Sequence, residues 1–245
     1  MAGTGPAAAN RPGEATGPRR DVHFFWILDA STSMRGEKIQ SLNFAVASAV
    51  PELRKVAAMH PEANVLVQVL KFATDVEWVV ADPVPLAEFQ WRDIEAGGET
   101  SMGLAFSVIC DQLDKLDASR RYFPPVLLLV TDGHPTDDEN DFDKALHRLL
   151  THKLGATATR LAVAIGSDVG PEGMMCLNRF IDNRDIKPIE VTDLAALPRL
   201  MQIVSRSALE ISSTPGDAAA AKILAEAAGN DADIWTWQAA KPVQD

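Results

Sequence analysis

The sequence predicts a doubly wound α/β domain: a mostly parallel sheet with one antiparallel edge strand and with helices on both faces. Three observations support this fold class. Short apolar runs alternate with longer segments whose apolar residues recur at helical spacing, which indicates βαβ units. Two runs, Val22–Leu28 and Val126–Val130, are almost entirely apolar, as is typical of strands covered on both faces. Two other runs are joined by a two-residue link, which indicates a hairpin.

The first half of the chain contains three predicted strands and two predicted helices. In order, they are strand Val22–Leu28, helix Glu37–Met59, strand Val65–Ala73, strand Val76–Ala81 and helix Ser101–Leu116. The helices are predicted because their apolar residues fall on one face. The Thr74-Asp75 link joins the second and third strands. The third strand should therefore run antiparallel at the edge of the sheet.

The second half continues the alternation of strands and helices. Its predicted elements are strand Val126–Val130, helix Asp141–Leu154, strand Arg160–Ile165, helix Pro171–Ile181, strand Ile189–Val191 and helix Leu194–Leu209. The folded domain is expected over residues 21–212. Residues 1–20, rich in Gly, Pro and Ala, are predicted to form a disordered arm.

Residues 213–245 are predicted to form a linker, a short Ala-rich helix and a polar tail with Trp235 and Trp237. The tail has two interpretations, a loosely packed end or a docking element. The second is open because exposed tryptophans are unusual without a partner surface.

Composition excludes several classes of function. The chain has 245 residues and a net charge of -11, which argues against nucleic-acid binding because phosphates are bound by clustered Lys and Arg. No apolar run approaches the roughly 20 residues of a membrane helix, so we expect a cytoplasmic protein that binds no membrane. The two cysteines, Cys110 and Cys176, fit structural thiols rather than a disulfide framework.

Oxygen-bearing side chains occur in three distant segments. These are Asp29-Ala30-Ser31-Thr32-Ser33, Gly97-Gly98-Glu99-Thr100-Ser101 and Thr131-Asp132-Gly133. The first and third follow predicted parallel strands, so they should meet at the edge where such sheets bind ligands. Carboxylate and hydroxyl oxygens without Cys or His are typical of a site for a magnesium-like cation.

Each segment also has a simpler interpretation. Ser31, Ser33 and Thr100 could each cap a helix N-terminus, and Asp132-Gly133 could be an ordinary turn. The joint occurrence of the segments at the ends of the right elements, in the right order, favours a metal site over these separate roles.

The pattern of Asp29, Ser31 and Ser33, then Thr100, then Asp132 resembles the metal-ion-dependent adhesion site of von Willebrand factor A domains. The pattern in that family is D-x-S-x-S, a distant Thr and a distant Asp. Thr32 stands where the family often has Gly, a change that removes no ligand. The LVTDGHPTDD segment is similar to that of bacterial cytoplasmic members of the tellurite-resistance type.

The resemblance implies a binding module rather than an enzyme. It implies that Ser31, Ser33 and Thr100 hold Mg²⁺ directly, with Ca²⁺ or Mn²⁺ as alternatives, and that Asp29 and Asp132 contact it directly or through water. A partner protein would fill the open position with an Asp or Glu. The narrower resemblance implies a stress-response or signalling complex whose partners include kinases or phosphatases.

Further polar residues near these segments have ordinary interpretations. Asp137, Asp138, Glu139 and Asp141 are expected to form a solvated helix start, although they could rim the site with negative charge. His134 is expected to be an exposed loop residue. Asp168 could be a helix cap or a rim residue.

Two other functions remain open. A Mg²⁺-dependent phosphoryl-transfer enzyme of the haloacid-dehalogenase type would also place an Asp after its first strand. Its pattern is D-x-D, however, and Ser31 occupies the position of the required acid, so a proton donor is missing. No lysine for neutralising phosphate is evident near the motifs. The remaining alternative is a scaffold whose metal site is vestigial.

Overall fold

The computed structural model describes residues 19–116 and 122–213, with side chains up to residue 210. Six strands form one sheet in the order β3-β2-β1-β4-β5-β6. They are β1 Arg20–Asp29, β2 Ala63–Phe72, β3 Val76–Pro85, β4 Val126–Thr131, β5 Thr159–Ile165 and β6 Ile189–Val191. Only the β2–β3 pairing is antiparallel among these strands. The predicted fold class and the antiparallel edge strand are confirmed.

The described ranges contain five α-helices, four between strands and one after the last strand. They are α1 Glu37–Met59, α2 Met102–Leu113, α3 Glu139–Thr151, α4 Gly170–Ile181 and α5 Leu197–Ser213. Helices α1 and α5 pack against each other, and α2 packs against α3. The β1-α1-β2 and β4-α3-β5 connections lead in opposite directions along the sheet, so right-handed crossovers place α1 and α3 on opposite faces.

The central strands are buried because helices cover both of their faces. Every residue from Phe24 to Leu28 and from Val126 to Val130 is fully buried, as the continuous apolar runs predict. On the face that carries α2 and α4, Phe106 stacks on Phe180 with ring centroids 5.2 Å apart. The candidate site is built from the ends of these two central strands, β1 and β4.

The predicted N-terminal arm lies outside the described residues except for Arg19 and Arg20, which begins β1. The predicted linker, Ala-rich helix and tail, with Trp235 and Trp237, also lie outside them except for Ser213, the last residue of α5. Within the described ranges, no helix combines the length and the apolar character needed to cross a membrane.

Candidate metal centre

The site lies where the sheet changes winding direction. Strands β1 and β4 are parallel neighbours, with Leu28 opposite Val130, and their connections leave on opposite sides. In open α/β sheets, a crevice for ligands forms at this point, beyond the carboxyl ends of the strands. Asp29 ends β1 and Thr131 ends β4, so both acidic segments open into the same crevice.

The loop after β1 folds back onto its own aspartate. The backbone N–H of Ser31 donates to Asp29 Oδ1 at 2.7 Å, and the Thr131 hydroxyl donates to Asp29 Oδ2. The hydroxyls of Ser31 and Ser33 lie 2.9 Å apart. Residues Thr32–Met34 form a 3-10 turn, which brings these two hydroxyls to the same side of the loop.

Asp29 is fully buried, and its burial has an electrostatic consequence. Desolvation raises the pKa of its carboxyl above the ordinary value, although hydrogen bonds from Ser31 and Thr131 act in the opposite direction. A buried carboxyl of this kind is poorly compensated by its hydrogen bonds alone. A cation beside it would favour the ionised form.

Asp132 is also buried, but a side chain that the sequence did not indicate compensates its charge. Ser33 Oγ donates to Asp132 Oδ1 at 2.7 Å, and Lys38 Nζ donates to Asp132 Oδ2 at 2.6 Å. Burial acts to lower the pKa of Lys38, but its bonds to Asp132 and Asp168 outweigh burial and raise it. The sequence motifs do not indicate a lysine at the site, but the structure places Lys38 there.

Thr100 lies on a loop that is bound to both of the other segments. The N–H of Thr32 donates to Gly98 O at 2.9 Å, and the N–H of Gly98 donates to Thr32 Oγ1 at 2.9 Å. Gly98 has φ of +100°, and a Cβ there would lie 2.7 Å from Thr74 Oγ1. Glycine is therefore required for this close approach.

The loop after Asp132 holds Thr100 from the other side. The N–H of Thr100 donates to Thr136 Oγ1 at 3.0 Å, and the N–H of Thr136 donates to Thr100 O at 3.0 Å. The Asp137 carboxylate accepts from the N–H groups of Gly103 and Leu104 at 3.0 and 3.2 Å. Asp137 therefore caps α2 rather than serving the start of α3, where Asp138 is the N-cap.

The hydroxyls of Ser31 and Ser33 do not cap helices in the structure. Ser31 precedes the 3-10 turn and makes no side-chain capping bond. The N-cap positions of α1 and α2 are Gly36 and Ser101, again without such a bond. The hydroxyls of Ser31 and Ser33 instead contact each other, and Ser33 contacts Asp132.

The donor set fits a hard divalent cation. Two buried carboxylates and two adjacent serine hydroxyls meet here, and the loop that carries Thr100 is hydrogen-bonded to both neighbouring loops. In the described residues, no three His, Cys, Asp or Glu side chains form a metal-holding group. Carboxylate and hydroxyl oxygens are hard ligands, which suit Mg²⁺ better than a softer ion.

The remaining sequence candidates lie around the site. His134 is exposed, as expected of a loop residue. Asp168 is exposed and reaches the site through Lys38, with Nζ–Oδ2 at 3.0 Å. Cys110 is buried, Cys176 is partly buried, and both thiols are free.

A comparison with known protein families shows which family this domain belongs to. The family of the von Willebrand factor type A domain matches residues 21–202. The chain belongs to this family. The VWA match covers all of the sheet except Arg20, and it covers all residues of the candidate site.

Solved structures share the VWA fold at low sequence identity. A von Willebrand factor type A protein from Catenulispora acidiphila has a TM-score of 0.63 and 18% identity, covering 78% of this chain and 43% of that one. The PilB minor pilin from Streptococcus sanguinis has a TM-score of 0.58 and 14% identity, covering 83% and 64%. The pilus adhesin SpaC from Lactobacillus rhamnosus GG has a TM-score of 0.61 and 10% identity, covering 81% and 32%.

The chain thus spans less than two thirds of the length of each of these proteins. No curated protein matches it in sequence.

Proposed function

We propose that this VWA domain is a metal-dependent protein-interaction module. Mg²⁺, with Mn²⁺ or Ca²⁺ as alternatives, is held by Ser31, Ser33 and Thr100. Asp29 and Asp132 contact it directly or through water. A partner protein supplies an Asp or Glu to the open position. The ion keeps an affinity for that incoming carboxylate because most of its direct ligands are neutral hydroxyls.

One observation carries the proposal: the contact chain from Ser31 to Ser33 to Asp132, at 2.9 and 2.7 Å. It joins the end of β1 to the end of β4 through side chains that point into the crevice rather than onto helix termini. Hydroxyls that only capped helices would have no reason to converge on a buried carboxylate. The similarity to a pilus adhesin supports a binding role as well.

A titration of metal ions tests the site. The wild-type protein is expected to bind Mg²⁺, and Asp29→Asn to bind it at least about tenfold more weakly, because a unit charge beside a divalent ion is worth more than about 1.4 kcal/mol even when screened. Asn suits the test better than Ala, since it keeps the hydrogen bond from the Ser31 N–H. Asp82→Asn, on the exposed edge strand β3, is the matched control.

Partner binding is tested with the same three proteins. Each is used to capture proteins from an extract of the source cells, with Mg²⁺ or with EDTA. A partner that binds by this mechanism is retained by the wild type and by Asp82→Asn only with Mg²⁺, and is lost with Asp29→Asn. Equal Mg²⁺ affinity in wild type and Asp29→Asn would contradict the metal site.

One observation favours the phosphoryl-transfer alternative: the Lys38 ammonium lies beside Asp132, where a lysine could neutralise phosphate. It still lacks a proton donor, because Ser31 stands in the acid position. We therefore expect no Mg²⁺-dependent turnover of p-nitrophenyl phosphate. Turnover that disappears in Asp29→Asn would establish an enzyme instead.

The pathway and location belong to the same proposal. A stress-response or signalling complex of the tellurite-resistance type, with kinase or phosphatase partners, is supported only by the LVTDGHPTDD resemblance. The cytoplasmic location stays a prediction, since two of the similar structures are pilus proteins. A scaffold with a vestigial metal site predicts partner capture that is equal with Mg²⁺ and with EDTA.

A further inference from the structure

Lys38 is the second residue of α1, and its ammonium is held at the metal centre. Nζ lies 2.6 Å from Asp132 Oδ2 and 3.0 Å from Asp168 Oδ2. The Lys38 side chain is 19% exposed and that of Asp132 is 0% exposed. This arrangement differs from an ordinary surface ion pair, in which both partners remain solvated and contribute little.

The ammonium takes up an oxygen that a metal ion would otherwise use. Asp132 Oδ1 accepts from Ser33, and Asp132 Oδ2 accepts from Lys38. Lys38 therefore neutralises one of the two carboxylates in the centre. A divalent ion that binds beside Asp132 meets a positive charge that shares the same carboxylate, and the two cations repel each other.

We propose that Lys38 is a tethered cation that competes with the divalent ion for Asp132 and sets the affinity of the site. The inference rests on the proposed metal site but concerns a residue outside its ligand set. Without metal, Lys38 compensates the buried charge of Asp132 and links the loop after β4 to the β5–α4 loop through Asp168. With metal, the ammonium gives up part of its contact with Asp132.

Asp168 provides the alternative partner that makes this exchange possible. Its side chain is 69% exposed and already contacts Lys38 Nζ, so the ammonium keeps one ion pair when it moves away from Asp132. The ammonium also lies close to Gly166 on the same loop, since a Cβ added at Gly166 would lie 3.5 Å from Lys38 Nζ. Through Asp168 the ammonium contacts the β5–α4 loop as well as the loop that carries Asp132.

The competition couples the ion to the acidic partner. A carboxylate at the open position adds a negative charge close to both cations, which offsets their repulsion. The divalent ion should then bind weakly to the domain alone and more tightly in the presence of the partner.

Removing the charge of Lys38 is the direct test. Lys38→Met keeps most of the side-chain stem and is expected to bind Mg²⁺ at least about tenfold more tightly than the wild type in calorimetric titration. Lys55→Met is the matched control, since Lys55 lies on the same helix, about 25 Å away, and pairs with Glu52. Its Mg²⁺ affinity should equal that of the wild type.

A second variant should shift the affinity in the opposite direction. Asp168→Asn removes one of the two carboxylates that contact Lys38 and leaves Asp132 as the other. Lys38 should then hold Asp132 more firmly, so Mg²⁺ should bind several-fold more weakly. Thermal melting in EDTA gives an independent measurement. Lys38→Met should melt below the wild type because buried Asp132 has lost its counter-ion, and added Mg²⁺ should restore it.

The outcomes separate this inference from the proposed function. If the wild type binds Mg²⁺ and Lys38→Met binds it equally or more weakly, the tethered-cation role is wrong and the metal site stands. If Mg²⁺ binds only after Lys38→Met, the inference is supported in its strongest form. If no variant binds Mg²⁺, Mn²⁺ or Ca²⁺, both the metal site and the inference are wrong.

Discussion

At the scale of single residues, the two carboxylates of the centre are compensated in different ways. Asp29 is surrounded by hydrogen-bond donors, the Ser31 N–H and the Thr131 hydroxyl. Asp132 has a full positive charge beside it, from Lys38. Removing one partner of a buried ion pair leaves an uncompensated charge. Asp132 therefore depends more strongly on a single neighbour than Asp29 does.

The two cysteines should differ in reactivity toward iodoacetamide. Burial raises the pKa of the Cys110 thiol to about 11, so at pH 8 only about one molecule in a thousand carries the reactive thiolate. The pKa of Cys176 is also raised by burial, but its side chain is partly exposed. We expect slow labelling of Cys176, no labelling of Cys110 in the folded protein, and labelling of both in urea, as followed by intact mass.

Rapid labelling of Cys110 under native conditions would contradict the burial of its thiol and would show that α2 opens readily. Labelling of the unfolded protein at both sites serves as the control for accessible thiols.

The sequence predicts five candidate ligands. Three of them are easy to recognise because they lie close together in the chain. Asp29, Ser31 and Ser33 lie within one loop, and a strand end predicts where that loop opens. Lys38 is different: it contacts Asp132 across 94 positions of the chain. Which of the lysines reaches a distant carboxylate depends on how α1 packs beside the β4 loop, and no periodicity reveals that.

At the scale of elements, α2 depends on a residue from another segment for its N-terminus. Its N-cap, Ser101, makes no side-chain capping bond. The Asp137 carboxylate, from the loop before α3, accepts from two of its free N–H groups. A negative charge at this position also interacts favourably with the helix dipole. The cap thereby links the Asp132 loop to the helix that begins two residues after Thr100.

Asp137→Ala should destabilise the domain by about 1–2 kcal/mol, the usual effect of losing an N-terminal cap. The loss should appear as a lower urea midpoint with an unchanged m-value. Asp141→Ala is the control, because Asp141 is exposed and forms a surface ion pair with Lys144 in α3. The free energy of unfolding of this variant should differ from that of the wild type by less than about 0.5 kcal/mol.

The same variant should weaken Mg²⁺ binding, since Thr100 would lose part of its support. Equal stability of Asp137→Ala and Asp141→Ala would contradict the capping role.

Element types were predicted more securely than element ends. The apolar run predicts β3 from Val76 to Ala81, but the strand continues through Asp82 to Pro85. Asp82 and Pro83 resemble turn residues in sequence. They are accommodated because β3 pairs only with β2 among the described strands. At its outer edge, no neighbouring strand requires the backbone N–H that proline lacks. The end of β3 is therefore determined by its pairing with β2, which local composition does not reveal.

At the scale of the whole molecule, the centre joins parts of the chain that are far apart in sequence. The candidate ligands come from the end of β1 and the loop after it, the loop before α2, and the residue after β4. In the described structure, hydrogen bonds through Thr32, Gly98 and Thr136 link these loops. A metal ion would add a further connection at the same edge of the sheet, and only in the folded state.

Mg²⁺ should therefore raise the melting temperature of the wild-type domain. A ligand that binds only the folded state at about 100 times its Kd adds about 2.7 kcal/mol. For a domain of this size, each kcal/mol shifts the melting temperature by about 2–4 °C, so we expect a rise of about 5–11 °C over the protein in EDTA, measured by circular dichroism. Asp29→Asn should show little of this rise, and Asp82→Asn all of it. An equal rise in all three proteins would mean that Mg²⁺ acts on the acidic surface in general and not at this centre.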